Sequence, residues 1–309
     1  MKTLIIALVS IPLLNLASTN KQIAVTPNKK TVEAAKSTGK FILVMSHADD
    51  KAKAAILENR HTSKFLNDHF VIEQQGNTNG QNLYLIYNQR QELVHRVTNE
   101  PYPYELAVKI KRALDPETQY YTLLARFENG DHSAAILENL VKAASDAGDR
   151  KNASRLMQAY LETQESPLAP ENIQLLAKHT TESSDPGFAL LLADIAAADD
   201  VLGNGKTAEK LASIVFNEVF VPQLDKKNVD LDAMAEKAKS MLPNNDLAYL
   251  IDGMVIQFLE MREDWDALQS ALPAYLNAHG NQLSEAMHKY YSWLGTEHLA
   301  GGKNAAHNR

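Results

Sequence analysis

The residues best placed to do chemistry gather in His47-Ala48-Asp49-Asp50, with His61 further along the same stretch. An imidazole beside carboxylates is the material of a divalent-metal site, or of a general base held by an orienting acid. At about 1.5 Å per residue, a continuous helix would put Asp50 and His61 roughly 16 Å apart, so they would not share one ion. The competing reading is structural: Asp49 and Asp50 cap a helix at its positive N-terminal end. Asp194, Asp199 and Asp200 form a second acidic group, which lacks the alternating oxygen ligands and central glycine of a calcium loop and reads as a solvated face. Gly203-Asn204-Gly205-Lys206-Thr207 ends like a phosphate-binding loop, but no strand precedes it and no glycine stands at the required earlier position. It reads as a loop opening a helix. No Gly-x-Ser-x-Gly and no His-Glu-x-x-His string occurs, so the common hydrolase signatures are missing. The chain contains no cysteine, which excludes thiol–disulfide chemistry by this protein alone and excludes disulfide staples.

The elements that must position these residues fall into two regimes. Between residues 31 and 114, strand and helix signals mix. Residues 41–45 are a continuous β-rich apolar run, 70–73 a shorter one, and 83–87 and 92–97 flank the turn-rich 88–91. Helical periodicity covers 31–37, 50–67 and 104–114. A strand, a helix and a second strand predict a parallel crossover, and the last two strands predict an antiparallel hairpin. From Gln119 onward the strand signals stop and apolar residues recur at helical spacing, as in Leu137, Leu140, Val141 and Ala144. Gly130-Asp131 and Gly148-Asp149 stand at the same offset before Ala135 and Ala153, so each glycine is expected to end a helix and each aspartate to cap the next. Glu263-Asp264-Trp265 is a looser third copy. This spacing is similar to tetratricopeptide-type hairpins, without that family's full repeat pattern. Tyr290, Tyr291 and Trp293 exceed what one buried helical stripe can absorb, since successive residues point about 100° apart.

With 309 residues, 45% of them hydrophobic and 22% charged, the chain has the composition of a soluble two-domain protein. A formal net charge of −7 with no basic stripe argues against a nucleic-acid footprint; the pairs Lys29-Lys30 and Lys226-Lys227 read as solvated loop charges. Lys2, the apolar run from Leu4 to Leu16 and the small residues Ala17, Ser18 and Thr19 read as a secretory signal peptide, too short to remain as a membrane span. The mature protein is therefore expected in the periplasm or outside the cell, with no membrane span after cleavage.

Ala34-Ala35-Lys36-Ser37-Thr38-Gly39-Lys40 leading into Phe41-Ile42-Leu43-Val44, then Ala48-Asp49 and Phe65-Leu66-Asn67-Asp68-His69-Phe70-Val71, then Leu85-Ile86-Tyr87-Asn88 and Glu92-Leu93-Val94-His95-Arg96-Val97, resemble in their order an exported bacterial thioredoxin-family protein with an added C-terminal helical region. The resemblance implies that the two redox cysteines would stand at Lys51 and Ala54, and the family's cis-proline near Asn82. All three positions are degenerate. Between the second and third strands, where a normal module has another helix and strand, only residues 72–81 remain, so the module is expected to be abbreviated. The resulting expectation is a signal peptide over 1–18, an abbreviated α/β thioredoxin-like module over 19–117, an all-α helical-hairpin domain over 118–300 and a disordered tail over 301–309. Its function would be to bind or scaffold a peptide or protein partner without redox activity, cofactor or nucleic acid. The alternatives are an enzyme using His47, Asp49 or Asp50 with a metal, and a helper beside a cysteine-bearing paralogue. Mass spectrometry of the native protein is expected to find an N-terminus near Ser18 or Thr19; an intact Met1 in the cytoplasm would overturn the export reading.

Overall fold

A computed structural model describes residues 26–46, 50–76, 82–98, 100 and 102–299, with the side chains of 50–53 and 297–299 excepted. The expected signal peptide and tail lie outside the described residues.

Helix α1 (Lys29–Thr38) starts where the Asn28 side chain accepts the amide of Thr31 at 2.9 Å, and stops at Gly39, whose φ of 69° suits a residue without Cβ. Strand β1 (Phe41–Ser46) follows. The stretch expected as one helix over 50–67 is instead two, α2 (Asp50–Glu58) and α3 (Arg60–His69). The break falls at Asn59, which takes an extended conformation and accepts the Thr62 amide at 3.0 Å. Asparagine competes with the helix for its own amides, a local preference that apolar periodicity does not reveal. Strands β2 (Phe70–Gln74), β3 (Leu83–Tyr87) and β4 (Leu93–Thr98) complete a sheet of order β2-β1-β3-β4. The β1–β2 pairing is parallel, with Phe41 opposite Phe70; β1–β3 and β3–β4 are antiparallel, the last with an irregularity at Ile86 and Tyr87. The expected crossover and hairpin are both present.

Both faces of β1 are covered, which is why its sequence does not alternate. Leu43 and Met45 pack with Tyr84, Ile86 and Val97 under Ile56, Leu66, Leu106 and Ile110. Ile42 and Val44 pack with Leu85 and Tyr87 under Val32 and Ala35 of α1. Helix α4 (Pro103–Lys111), continued by a 3-10 turn at Arg112–Leu114, closes this α/β part.

Among the described residues eleven further α-helices follow, with no strand beyond Tyr120: α5 (Tyr120–Glu128), α6 (Ala134–Asp146), α7 (Arg150–Glu162), α8 (Pro170–His179), α9 (Pro186–Ala193), α10 (Ile195–Leu202), α11 (Lys206–Val219), α12 (Leu231–Met241), α13 (Ala248–Met261), α14 (Trp265–His279) and α15 (Glu285–Trp293). Their lengths run from 8 to 15 residues, so no fixed repeat period holds. Asp149 and Asp264 cap α7 and α14 as expected. Asp131 does not cap α6. Ser133 occupies the cap position, and Asp131 instead accepts from the Ser133 hydroxyl at 2.9 Å and pairs with Arg126 at 2.8 Å. At the third copy the left-handed position is filled by Glu263, with φ of 57°.

The helical region is fastened to the open edge of the sheet. Strand β4 has only β3 as a neighbour, and Arg96 on it donates to the Ala147 carbonyl at 2.8 Å. Gly148, at φ 67°, lies so close to β4 that a Cβ there would sit 2.2 Å from Thr98 Oγ1. Gly148→Ala therefore combines a left-handed alanine, costing about 1–2 kcal/mol, with a collision at the junction. The melting temperature should fall by roughly 5 °C, with Thr98→Ala in the same chain recovering the steric part alone. An unchanged melt for Gly148→Ala would show that this packing is not maintained.

Candidate functional site

Four strand ends lie together at one end of the sheet. Ser46 at the end of β1 pairs with Leu83 at the start of β3, Leu83 pairs with Thr98 at the end of β4, and Gln75 just past β2 donates its amide to the Met45 carbonyl. In α/β sheets the carboxyl ends of parallel strands are where ligands are usually received. Helix α2 opens here, placing Lys51 in its first turn and the half-buried Ala54 one turn later, while Asn82 is buried immediately before β3. Lys51, Ala54 and Asn82 thus belong to one end of the sheet. No cis peptide occurs among the described residues. His47 and Asp49 lie outside the described residues, and of Asp50 only its place at the start of α2 is defined. His61 is exposed on α3, beyond the break at Asn59, and does not share the helix of Asp50.

The loop after β4 contributes Glu100, which is buried and accepts from Lys109 Nζ at 2.8 Å and from the Tyr102 amide at 3.1 Å, while its own carbonyl accepts the Tyr84 hydroxyl at 3.2 Å. Beyond it Tyr102 and Tyr104 are 68% and 74% exposed. Phenol rings this exposed keep most of their surface in water and open to contact.

A second constellation, missed in the sequence, lies where the sheet meets the helices. His95 of β4 is fully buried, and its Nδ1 accepts the amide of Tyr120, the first residue of α5, at 3.1 Å. Accepting at Nδ1 puts the proton of the neutral ring on Nε2. Burial, reinforced by the nearby Arg112, holds the His95 pKa down to about 3. Asp146 at the end of α6 faces Lys109 at 3.8 Å and Arg112 at 3.4 Å; burial raises its pKa against those two cations and Lys178. His179 at the end of α8 meets Ser145 Oγ at 2.9 Å and has its pKa lowered to about 4, by burial first and then by Lys178 and Arg112. A serine beside a histidine invites a nucleophile reading. However, the one proton of Ser145 goes to the Val141 carbonyl at 2.9 Å, so His179 is the donor in this pair and is not placed as its base. No sequence pattern announces this cluster, because its members come from β4, α4, α6 and α8.

The Gly-Lys-Thr segment is occupied from within. Gly203 and Gly205 both have positive φ, and the amides of Gly205 and Thr207 donate to the two oxygens of Asp199 at 2.7 and 2.8 Å. Burial opposes ionisation of Asp199, but these bonds prevail and keep its pKa below the ordinary range. The position an anion would take at the start of α11 is filled by the protein's own carboxylate. Asp199 is thus not part of a solvated face; Asp194 caps α10.

A cleft of about 680 Å³ runs between α7 and the α8–α9 connection, lined by Arg150, Lys151, Arg155, Glu182 and Asp185 among others. At the far end of the array, Met261, Trp265, Met287, Tyr290 and Trp293 are exposed while Tyr291 is buried, in keeping with the excess of aromatics noted there. Among the described residues, no three metal-ligating side chains come together, and no helix is long and apolar enough to cross a membrane.

The buried histidines set a pH dependence. An unfolded histidine titrates near 6.5, so below that pH the unfolded chain takes up protons that His95 and His179 refuse until about pH 3 and 4. Their contribution is complete above pH 6.5 and is lost as pH falls toward 4. Thermal melts at pH 7 and pH 4.5 should differ by several degrees more for the native chain than for His95→Gln, whose amide oxygen can still accept from Tyr120 but does not titrate. Equal pH sensitivity in the two proteins would rule out His95 as a source.

The chain matches no family model, no curated protein and no solved structure.

Proposed function

We propose that this chain is an exported, redox-inactive thioredoxin-like protein that binds or scaffolds a peptide or protein partner, its second half serving as a helical-hairpin array similar to tetratricopeptide hairpins. The sheet order β2-β1-β3-β4, with one parallel crossover, a closing hairpin and a final helix, supports the thioredoxin-like reading. The observation that carries the functional reading is a contrast at one end of the sheet. Lys51 and Ala54 stand where the family's thiols would be, and the whole chain has no cysteine, while Tyr102 and Tyr104 are presented to solvent at the same end. A thiolate is the indispensable nucleophile of disulfide exchange, and neither an ammonium nor a methyl group replaces it.

A photo-crosslinking residue at Tyr104 should yield a discrete adduct in cells, whereas one at exposed Val221, on the distant helical part, should not. Insulin reduction by dithiothreitol in the presence of the protein should match the protein-free blank, and purified protein should contain no stoichiometric divalent metal. Catalysed reduction, or one tightly held metal ion per chain with no adduct from Tyr104, would replace the binding reading with an enzymatic one.

A further inference from the structure

Helix α7 has two distinct sides. Ala153, Leu156, Met157, Tyr160 and Leu161 are buried in the array. Lys151, Ser154, Arg155 and Gln158, spaced i, i+3, i+4 and i+7, form one polar stripe that walls the cleft. Opposite stand Glu182, Ser184 and Asp185 at the turn into α9. The cleft carries three cations and two carboxylates, and both carboxylates are already engaged. Glu182 reaches across to Arg150 at 3.2 Å, and one oxygen of Asp185 accepts the amides of Thr181 and Glu182 at 2.8 and 2.9 Å. Arg155 touches only the Asn152 side-chain oxygen at 3.3 Å and the face of Phe127, and Lys151 has no carboxylate partner among the described residues. In a chain of net charge −7, this is a concave site of net positive charge in which Lys151 and Arg155 have no carboxylate partner among the described residues.

The spacing of those cations selects a ligand. One helical turn separates Lys151 from Arg155, placing their Cβ atoms about 5–6 Å apart. Alternate side chains of an extended peptide project to the same side about 6.6 Å apart, at ~3.3 Å per residue. Arg150 and Glu182 already show a carboxylate seated against a cation across the same cleft. We propose that the cleft between α7 and the α8–α9 connection binds an extended acidic segment of a partner protein, receiving two carboxylates at alternate positions on Lys151 and Arg155. Ser154, Gln158 and Ser184 supply hydrogen bonds to its backbone. The proposal rests on the reading of the chain as a protein-binding module and gives that reading its ligand chemistry.

Fluorescence anisotropy of the full chain with labelled Gly-Glu-Ser-Glu-Gly should show saturable binding that weakens as salt rises, and at least tenfold weaker binding of Gly-Gln-Ser-Gln-Gly. The Lys151→Glu/Arg155→Glu protein should lose at least tenfold in affinity for the acidic peptide. Both side chains are exposed, so its melt should fall by only a few degrees, through loss of the Arg155–Phe127 contact, and Lys151→Gln/Arg155→Gln provides a milder version should charge reversal disturb folding. Equal binding of the two peptides, or undiminished binding by both double variants, overturns the proposal. So does pyrophosphate binding with no binding of the acidic peptide, which would make this a small-anion site. A Tyr104 adduct that persists while the acidic peptide fails to bind sinks this site alone; loss of both sinks the binding reading as well.

Discussion

The architecture depends on how the edge of a four-stranded sheet is closed. Strand β4 would present an unpaired ladder to solvent, a template for pairing with another chain. The helical region covers it through polar contacts of one residue each: Arg96 to the Ala147 carbonyl, the Tyr120 amide to His95, and the Gly148 turn pressed on Thr98. The α6–α7 turn and the first amide of α5 are thus both fixed to the same strand, and every later helix is positioned through them. A glycine at 148 serves two requirements at once, a positive φ and the absence of a side chain. His95 likewise serves two, satisfying a helix-start amide that would otherwise be buried without a partner and lining the sheet edge.

That junction is polar, which sets it apart from the cores on either side. The sheet packs between two apolar layers and the helices share one extended hydrophobic cluster, but between them lie Glu100, Lys109, Arg112 and Asp146. Removing one member of such a group leaves a buried charge unmatched, so its worth lies in fixing register more than in adding stability. With no cysteine to cross-link the halves, registration by charge and hydrogen bond is the means this sequence has.

Much of the fold was legible because local signals agreed with the tertiary outcome. The β-rich runs at 41–45 and 83–87 are buried on both sides or nearly so, and α1 has both its asparagine cap and its glycine stop in plain view. The errors have local causes. Asn59 split an amphipathic stretch whose periodicity continues across it, and Ser133 displaced Asp131 from the cap because Arg126 holds that carboxylate. The inter-part cluster was illegible, since His95, Asp146 and His179 are far apart in sequence and unremarkable individually. Only the polar stripe 151, 154, 155 and 158 could have been found beforehand, by reading the helical period for polar residues as well as apolar ones.

A consistent use of carboxylates separates the surfaces that are closed from those that are open. Asp199 fills the anion position at the start of α11, Asp149 caps α7 and accepts the Tyr120 hydroxyl at 2.7 Å, Glu218 takes both the amide and hydroxyl of Ser183, and Asp185 holds the loop before α9. The start of α11 is answered by the chain itself, which explains why its Gly-Lys-Thr sequence yields no phosphate site. The same economy makes exceptions informative. Where the acids on one wall of a cleft are taken by backbone amides and by Arg150, Lys151 and Arg155 opposite are left without a carboxylate partner among the described residues, and the net positive charge of the cleft attracts an acidic ligand that the chain's overall charge of −7 would repel.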